Sequence, residues 1–227
     1  MYYYLLIFLE LFVIFFTSRY IFSALLFIFK KLFFSQRIAV AFIGVVFFPG
    51  VFVHEFSHLL MAGILQVKGF HVEFKPVLHE GGLKLGSATI ARSDPVRRML
   101  IGLAPIAAGV VVLFFLTSQI VSLFPFRLNA LYIILNTIYL YAIFVVSNTM
   151  FSSKKDVEGG VGLLICLVII IGGLEFAGVG VLSSAINILQ SPKLLQNIPN
   201  VVFLFAIPAG INLLFVGTSL RLLRRRY

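Results

Sequence analysis

Residues 38–67 read IAVAFIGVVFFPGVFVHEFSHLLMAGILQV. The run carries no Lys or Arg, and Glu55 is its one carboxylate. A membrane-crossing helix needs roughly 20 predominantly apolar residues, so this stretch is long enough to span. Within it stand His54, Glu55 and His58. Ionisable groups are costly in hydrocarbon and mark function there by default. Pro49-Gly50 comes four residues before the first histidine. Proline removes a backbone donor and glycine loosens the chain, so the pair predicts a kink or break. Irregular backbone at membrane depth is tolerated only against protein or a water-filled cavity.

The rest of the chain has the same character. Of 227 residues, 61% are hydrophobic and 11% charged, with a mean hydropathy of +1.10. A globular domain carries about 25% charged residues, so this chain lacks the polar surface to cover itself in water. That excludes a large soluble catalytic domain; any site must be built from spans and their connections. Further apolar runs lie at about 99–123, 130–150, 160–189 and 199–220, and another opens the chain at Met1-Tyr-Tyr-Tyr and continues to Phe29. The opening run lacks the basic start and small-residue cleavage site of a signal peptide, so it reads as a membrane anchor, as one helix containing Arg19 or as two pieces. The expected fold is a polytopic α-helical membrane protein of about six spans. It divides into an N-terminal anchor segment at 1–37, a core at 38–160 and C-terminal transmembrane helices at 161–227.

Residues 68–92 break the apolar pattern. Gly69-Phe-His-Val-Glu-Phe-Lys-Pro and Leu83-Lys-Leu-Gly-Ser-Ala-Thr-Ile alternate apolar with polar around Glu80-Gly81-Gly82. Period-two alternation around a glycine turn predicts a short β-hairpin. Ser93-Asp94-Pro95 then predicts a helix start, with a capping side chain and a proline in the first turn. The lone Cys166 excludes an intramolecular disulfide and a multi-cysteine metal cluster. The net charge of +10 resides between apolar runs and at the C-terminus, where it sets topology and touches anionic headgroups rather than nucleic acid.

The sequence His54-Glu55-Phe56-Ser57-His58 is H-E-x-x-H. On a helix, positions i and i+4 share a face, so both imidazoles can reach one metal ion. The adjacent glutamate is not needed as a ligand and can take a proton from water. With four His and six Glu in the chain, chance would produce this pattern roughly 0.002 times. Zinc hydrolases use three protein ligands and leave one position open. The candidates for the third are His71 and His79 in the hairpin, Glu175 deep in a run, and Asp156 and Glu158 after the 130–150 run; Asp94 is better explained as a cap.

An H-E-x-x-H within a membrane span, followed downstream by Asn-x-x-Pro-x-x-x-x-Asp-Gly, is the signature of the site-2 proteases, intramembrane zinc metalloproteases. This chain resembles them over residues 38–160, with Asn148-Thr-Met-Phe-Ser-Ser-Lys-Lys-Asp156 keeping the eight-residue Asn-to-Asp separation. It departs from the pattern at Phe151, where the family has proline, and at Val157, where it has glycine. The resemblance implies one zinc ion on His54, His58 and Asp156, with Glu55 as catalytic base and Asn148 near the substrate or developing oxyanion. It implies hydrolysis of peptide bonds within or beside transmembrane segments of membrane-protein substrates. An exposed edge of the hairpin could then hold an unwound substrate segment by main-chain hydrogen bonds. The rival readings are a membrane metal transporter and an inactive relative that binds partners.

Topology is expected from the basic residues. If each run from 38 onward crosses once, the hairpin, the 150–159 loop and the C-terminus share a side with twelve Lys and Arg, against five opposite. Loops rich in Lys and Arg stay cytoplasmic, which places the zinc site of this multi-pass protein near the cytoplasmic face.

Overall fold

The computed structural model describes residues 2–79, 82–90, 93–122, 130–151, 168–181, 184, 186–187 and 190–224. Its principal elements are α1 (Tyr2–Phe33), α2 (Gln36–Ile64), four strands β1 (Phe70–Glu73), β2 (Val77–His79), β3 (Gly82–Lys84) and β4 (Ser87–Ile90), α3 (Pro95–Ser122), α4 (Ala130–Thr149) and α5 (Pro192–Arg224). Among the described residues, α1, α2, Pro95–Thr117 of α3, and α4 are long and apolar enough to cross a membrane. The chain is an α-helical membrane protein. The run expected at 160–189 lies partly outside the described residues; within it, residues 168–176 are helical.

The opening run is one helix, continuous through Arg19. It turns into α2 through Phe34, at φ 52°, and Ser35, whose side chain caps α2 by accepting from the Ile38 amide. Of the kink or break expected at Pro49-Gly50, the break does not occur: α2 is continuous from Gln36 to Ile64. One turn before Pro49, the Tyr141 hydroxyl donates to the Val46 carbonyl at 2.6 Å and ties α4 to α2. Gly50 has a packing role instead. A Cβ there would stand 2.6 Å from the Val145 carbonyl oxygen and 2.5 Å from Thr149 Oγ1, so its absence lets α4 press against α2. The far end of α2 closes with Gln66 at φ 56° and the Val67 amide bonding back to the Ala62 carbonyl. That left-handed closure satisfies an orphan carbonyl, and Val67 packs with Ala62 and Ile101.

The strands form two antiparallel ladders, β1 with β4 and β2 with β3. Phe70 faces Ile90 and Glu73 faces Ser87, while Val77 faces Lys84 and His79 faces Gly82. Three residues, Phe74-Lys75-Pro76, oppose only two, Leu85-Gly86, so the register slips by one between the ladders. Pro76 has no amide hydrogen to contribute to a ladder. The ribbon lies along α2. Pro76 packs on Gly44, Phe74 on the rings of Phe48 and Phe52, and Leu85 among Ile21, Phe47 and Val51.

Side-chain pairings fix the helix directions. Phe22 meets Phe47 and Phe29 meets Phe42, so α1 and α2 are antiparallel. Phe47 meets Phe144 and Gly50 meets Val145 and Thr149, so α4 is parallel to α2. Gly109 packs on Met150, and Leu113 on Val146 and Ile143, which makes α3 antiparallel to α4. Ile14 packs with Phe205 and Ala209, Thr17 bonds Asn212, and Ile21 shares a cluster with Phe215 and Val216. Hence α5 is parallel to α1. The end of α2, the start of α3, the end of α4 and the start of α5 therefore share one end of the bundle, here called the motif end.

This arrangement corrects the expected topology. Because α4 ends and α5 begins at the motif end, a single crossing between them does not fit, and Arg224 lies at the end opposite the start of α3. Among the described residues, Lys68, Arg97, Arg98 and Lys193 flank the motif end, and Lys30, Lys31, Arg37, Arg221 and Arg224 flank the other. Four against five, apart from Lys75 and Lys84 on the ribbon, carries no orienting bias.

Candidate metal centre

Three ionisable side chains are buried in the second half of α2: His54 at 3% exposure, Glu55 at 4% and His58 at 6%. They lie about 9–15 Å along the helix from its end, at 1.5 Å per residue, which places them nearer the motif end than the other. The two imidazole centroids are 5.0 Å apart with planes at 85°. Two rings bound to one tetrahedral ion at Zn–N distances of about 2.0–2.1 Å would have centroids roughly 5 Å apart. The spacing fits.

His58 Nδ1 lies 2.8 Å from the Ile101 carbonyl oxygen. A carbonyl only accepts, so Nδ1 is the donor in this contact. Metal-ligating histidines are oriented by this kind of bond from the other ring nitrogen. The bond also ties α2 to the first turns of α3, the helix that follows the ribbon. No sequence pattern points to Ile101, because the contact uses its backbone alone.

Glu55 faces the ribbon. A Cβ on Gly86 would stand 2.7 Å from Glu55 Oε1, 3.1 Å from its Cγ and 2.9 Å from Val51 Cγ1. Only a residue without a side chain lets the bend between β3 and β4 lie against that carboxylate. The missing side chain thus brings main chain of the ribbon beside the motif.

The remaining candidates are distributed as follows. Asp156 and Glu158 lie outside the described residues, and so does the side chain of His79. His71 pairs with Glu73 at 3.4 Å on the open face of the ribbon, with side chains 74% and 60% exposed. Asp94 caps α3, accepting from the Arg97 amide at 3.0 Å and pairing with Arg97 Nε at 3.1 Å. Glu175 sits in the helical stretch 168–176. Among the described residues, no group of three His, Cys, Asp or Glu side chains converges as a metal site.

Asn148 is fully buried and bonds elsewhere. Its Nδ2 donates to Asn212 Oδ1 at 2.8 Å and to the Phe144 carbonyl at 2.8 Å, while its Oδ1 accepts from Asn212 Nδ2 at 3.1 Å. Asn212 Nδ2 also donates to Thr17 Oγ1 at 3.0 Å. Both amide hydrogens of Asn148 are therefore committed, leaving no donor for an oxyanion in this arrangement. Its neighbours do similar work: Thr149 fits against Gly50 of α2 and Met150 against Gly109 of α3. Three consecutive residues thus tie the end of α4 to α5, α2 and α3, and through Asn212 to Thr17 of α1, directly before the segment that leads to Asp156.

The chain matches no protein-family model, no curated protein and no solved structure.

Proposed function

We propose that this protein is an intramembrane zinc metalloprotease, resembling the site-2 proteases, that hydrolyses peptide bonds within or next to transmembrane segments of membrane proteins. The observation that carries the reading is the buried His54–His58 pair, spaced for one ion and oriented through Ile101, with Glu55 beside it. His54 and His58 would hold the zinc, with Asp156 as the third ligand. The ion would polarise the scissile carbonyl and make water acidic enough to attack at neutral pH. Glu55 would take the proton of the attacking water and deliver it to the leaving amine. Burial of Glu55 keeps that proton transfer out of bulk solvent.

The ribbon suits the substrate's needs. A peptide bond in a transmembrane helix is shielded by its own hydrogen bonds and must be unwound before attack. A two-stranded ribbon lying along α2 has outer edges whose N–H and C=O groups require partners at membrane depth. An extended substrate segment would supply them. Asn148 would act by holding the end of α4, and with it the departure of the Asp156 segment. The helices α1–α5 would each cross the bilayer, with the zinc in the third of the membrane nearest the motif end. Membrane location follows from the apolar helices; which compartment the motif end faces is a matter for labelling.

The test is Glu55→Gln, which keeps size and both histidines but cannot accept a proton. Zinc content should stay near that of the parent protein, and cleavage of a single-span reporter should fall by at least about 10²-fold. Full activity in this variant would remove Glu55 from the chemistry.

A further inference from the structure

Arg19 sits near the middle of α1. Tyr4 and Lys30, residues of the types that anchor spans at the membrane surface, lie fifteen residues before it and eleven after. Those separations correspond to about 22 and 16 Å of helix, beyond what an arginine side chain can reach by snorkelling. The packing gives the same depth. Phe22 meets Phe47 across antiparallel helices, which sets Arg19 level with Gly50, the midpoint of α2.

The residue points outward. The buried side of α1 is made by Ile14, Ser18, Ile21, Ala24 and Leu25. At 100° per residue, Arg19 falls on the other side with Phe8, Phe12, Phe16 and Phe27, all exposed. Its guanidinium rests over the ring of Phe15, 4.8 Å from the centroid, on its own helix. Among the described residues, none accepts a hydrogen bond from that guanidinium, and no carboxylate pairs with it. A charge at the bilayer centre is costly, and such residues face a partner, a cavity or an opposite charge.

We propose that the outward face of α1 around Arg19 docks a transmembrane helix of another membrane protein, one that carries a carboxylate near mid-membrane. The phenylalanines flanking Arg19 along the helix give that partner an apolar surface to pack on, and the guanidinium fixes its depth. A second copy paired through parallel α1 helices does not complement the face. A two-fold pairing of parallel α1 helices sets Arg19 against Arg19, and Glu10 on the same helix lies about 13 Å away along the axis.

The probe is a synthetic helix of about 20 leucines with lysines at both ends and one central Asp, alongside its all-leucine counterpart. Energy transfer to labelled protein, in the Glu55→Gln background so that the probe is not consumed, is measured in phosphatidylcholine vesicles. The Asp helix should bind at least about tenfold more tightly than the leucine helix. Arg19→Leu should abolish the difference and Arg19→Lys should keep part of it. Equal binding of the two helices overturns the proposal, as does self-association of the protein that disappears in Arg19→Leu. Thermal unfolding in the same vesicles without probe gives an independent reading. Removing an unpaired charge from lipid should leave the midpoint of Arg19→Leu unchanged or raised; a fall shows that the chain itself holds Arg19, and overturns the proposal. None of these readouts depends on zinc or on turnover.

Discussion

At the scale of single residues, a glycine carries the sharpest expectation. Gly86→Ala puts a methyl group within 2.7 Å of Glu55 Oε1, so either the carboxylate or the ribbon must move. Zinc content should be kept, because neither histidine is touched, while turnover falls. Gly63→Ala, which meets nothing within 4 Å, is the matched control and should behave as the parent protein. If both alanine variants cleave normally, the approach of the ribbon to Glu55 has no part in the reaction. The ligand set is tested by metal analysis: Asp156→Ala should lose zinc along with activity, whereas Glu175→Ala should retain most of it, and the reverse result would reassign the third ligand. That His54, Glu55 and His58 lie together on one helix was legible from their spacing. Gly86 and Ile101 were not, because one acts through a missing side chain and the other through its carbonyl, and neither leaves a residue-type signal.

Among the elements, α2 illustrates how tertiary contacts override a local rule. Proline and glycine at 49–50 read as a kink or break, yet the helix is continuous there, with Tyr141 bonding the Val46 carbonyl and α4 packed at Gly50. Those partners are distant in sequence, so no local pattern announces them. Gly50→Leu should therefore destabilise the folded protein by about 1–3 kcal/mol, the range for overpacking. Gly210→Leu, at a position with nothing within 4 Å, should cost little. Chemical denaturation in mixed micelles compares them, and equal effects would remove the α2–α4 contact as the cause. The four short strands fall in the stretch whose apolar–polar alternation the sequence shows. Their lying along α2 was not legible there, since that depends on Pro76 meeting Gly44 and Leu85 reaching the cluster around Phe47.

For the whole molecule, membrane residence followed from composition alone, but topology did not follow from counting runs. The parallel pairing of α1 with α5 rests on Ile14, Thr17 and Ile21 meeting residues near Ala209, Asn212 and Val216. Long-range pairing of that kind is invisible to a hydropathy count. It predicts that the start of α3 and the C-terminus lie on opposite sides of the membrane. With Cys166 replaced by serine, single cysteines at Val96 and Tyr227 should react with an impermeant reagent from opposite faces of sealed vesicles. Reaction of both from the same face would overturn the parallel arrangement, and whichever face labels Val96 identifies the compartment of the motif end.

The tie between Asn148, Asn212 and Thr17 also bears on how the protein is made. Its bonds close loops of 64 and 195 residues, and a chain is synthesised from its N-terminus at about 5–20 residues per second. Thr17 and Asn148 are thus already in the bilayer for seconds before the ribosome has delivered Asn212. During that interval Asn148 lacks the Asn212 amide it bonds in the folded protein. The end of α4 is therefore secured to α1 and α5 only after the residues around Asn212 have followed it into the bilayer.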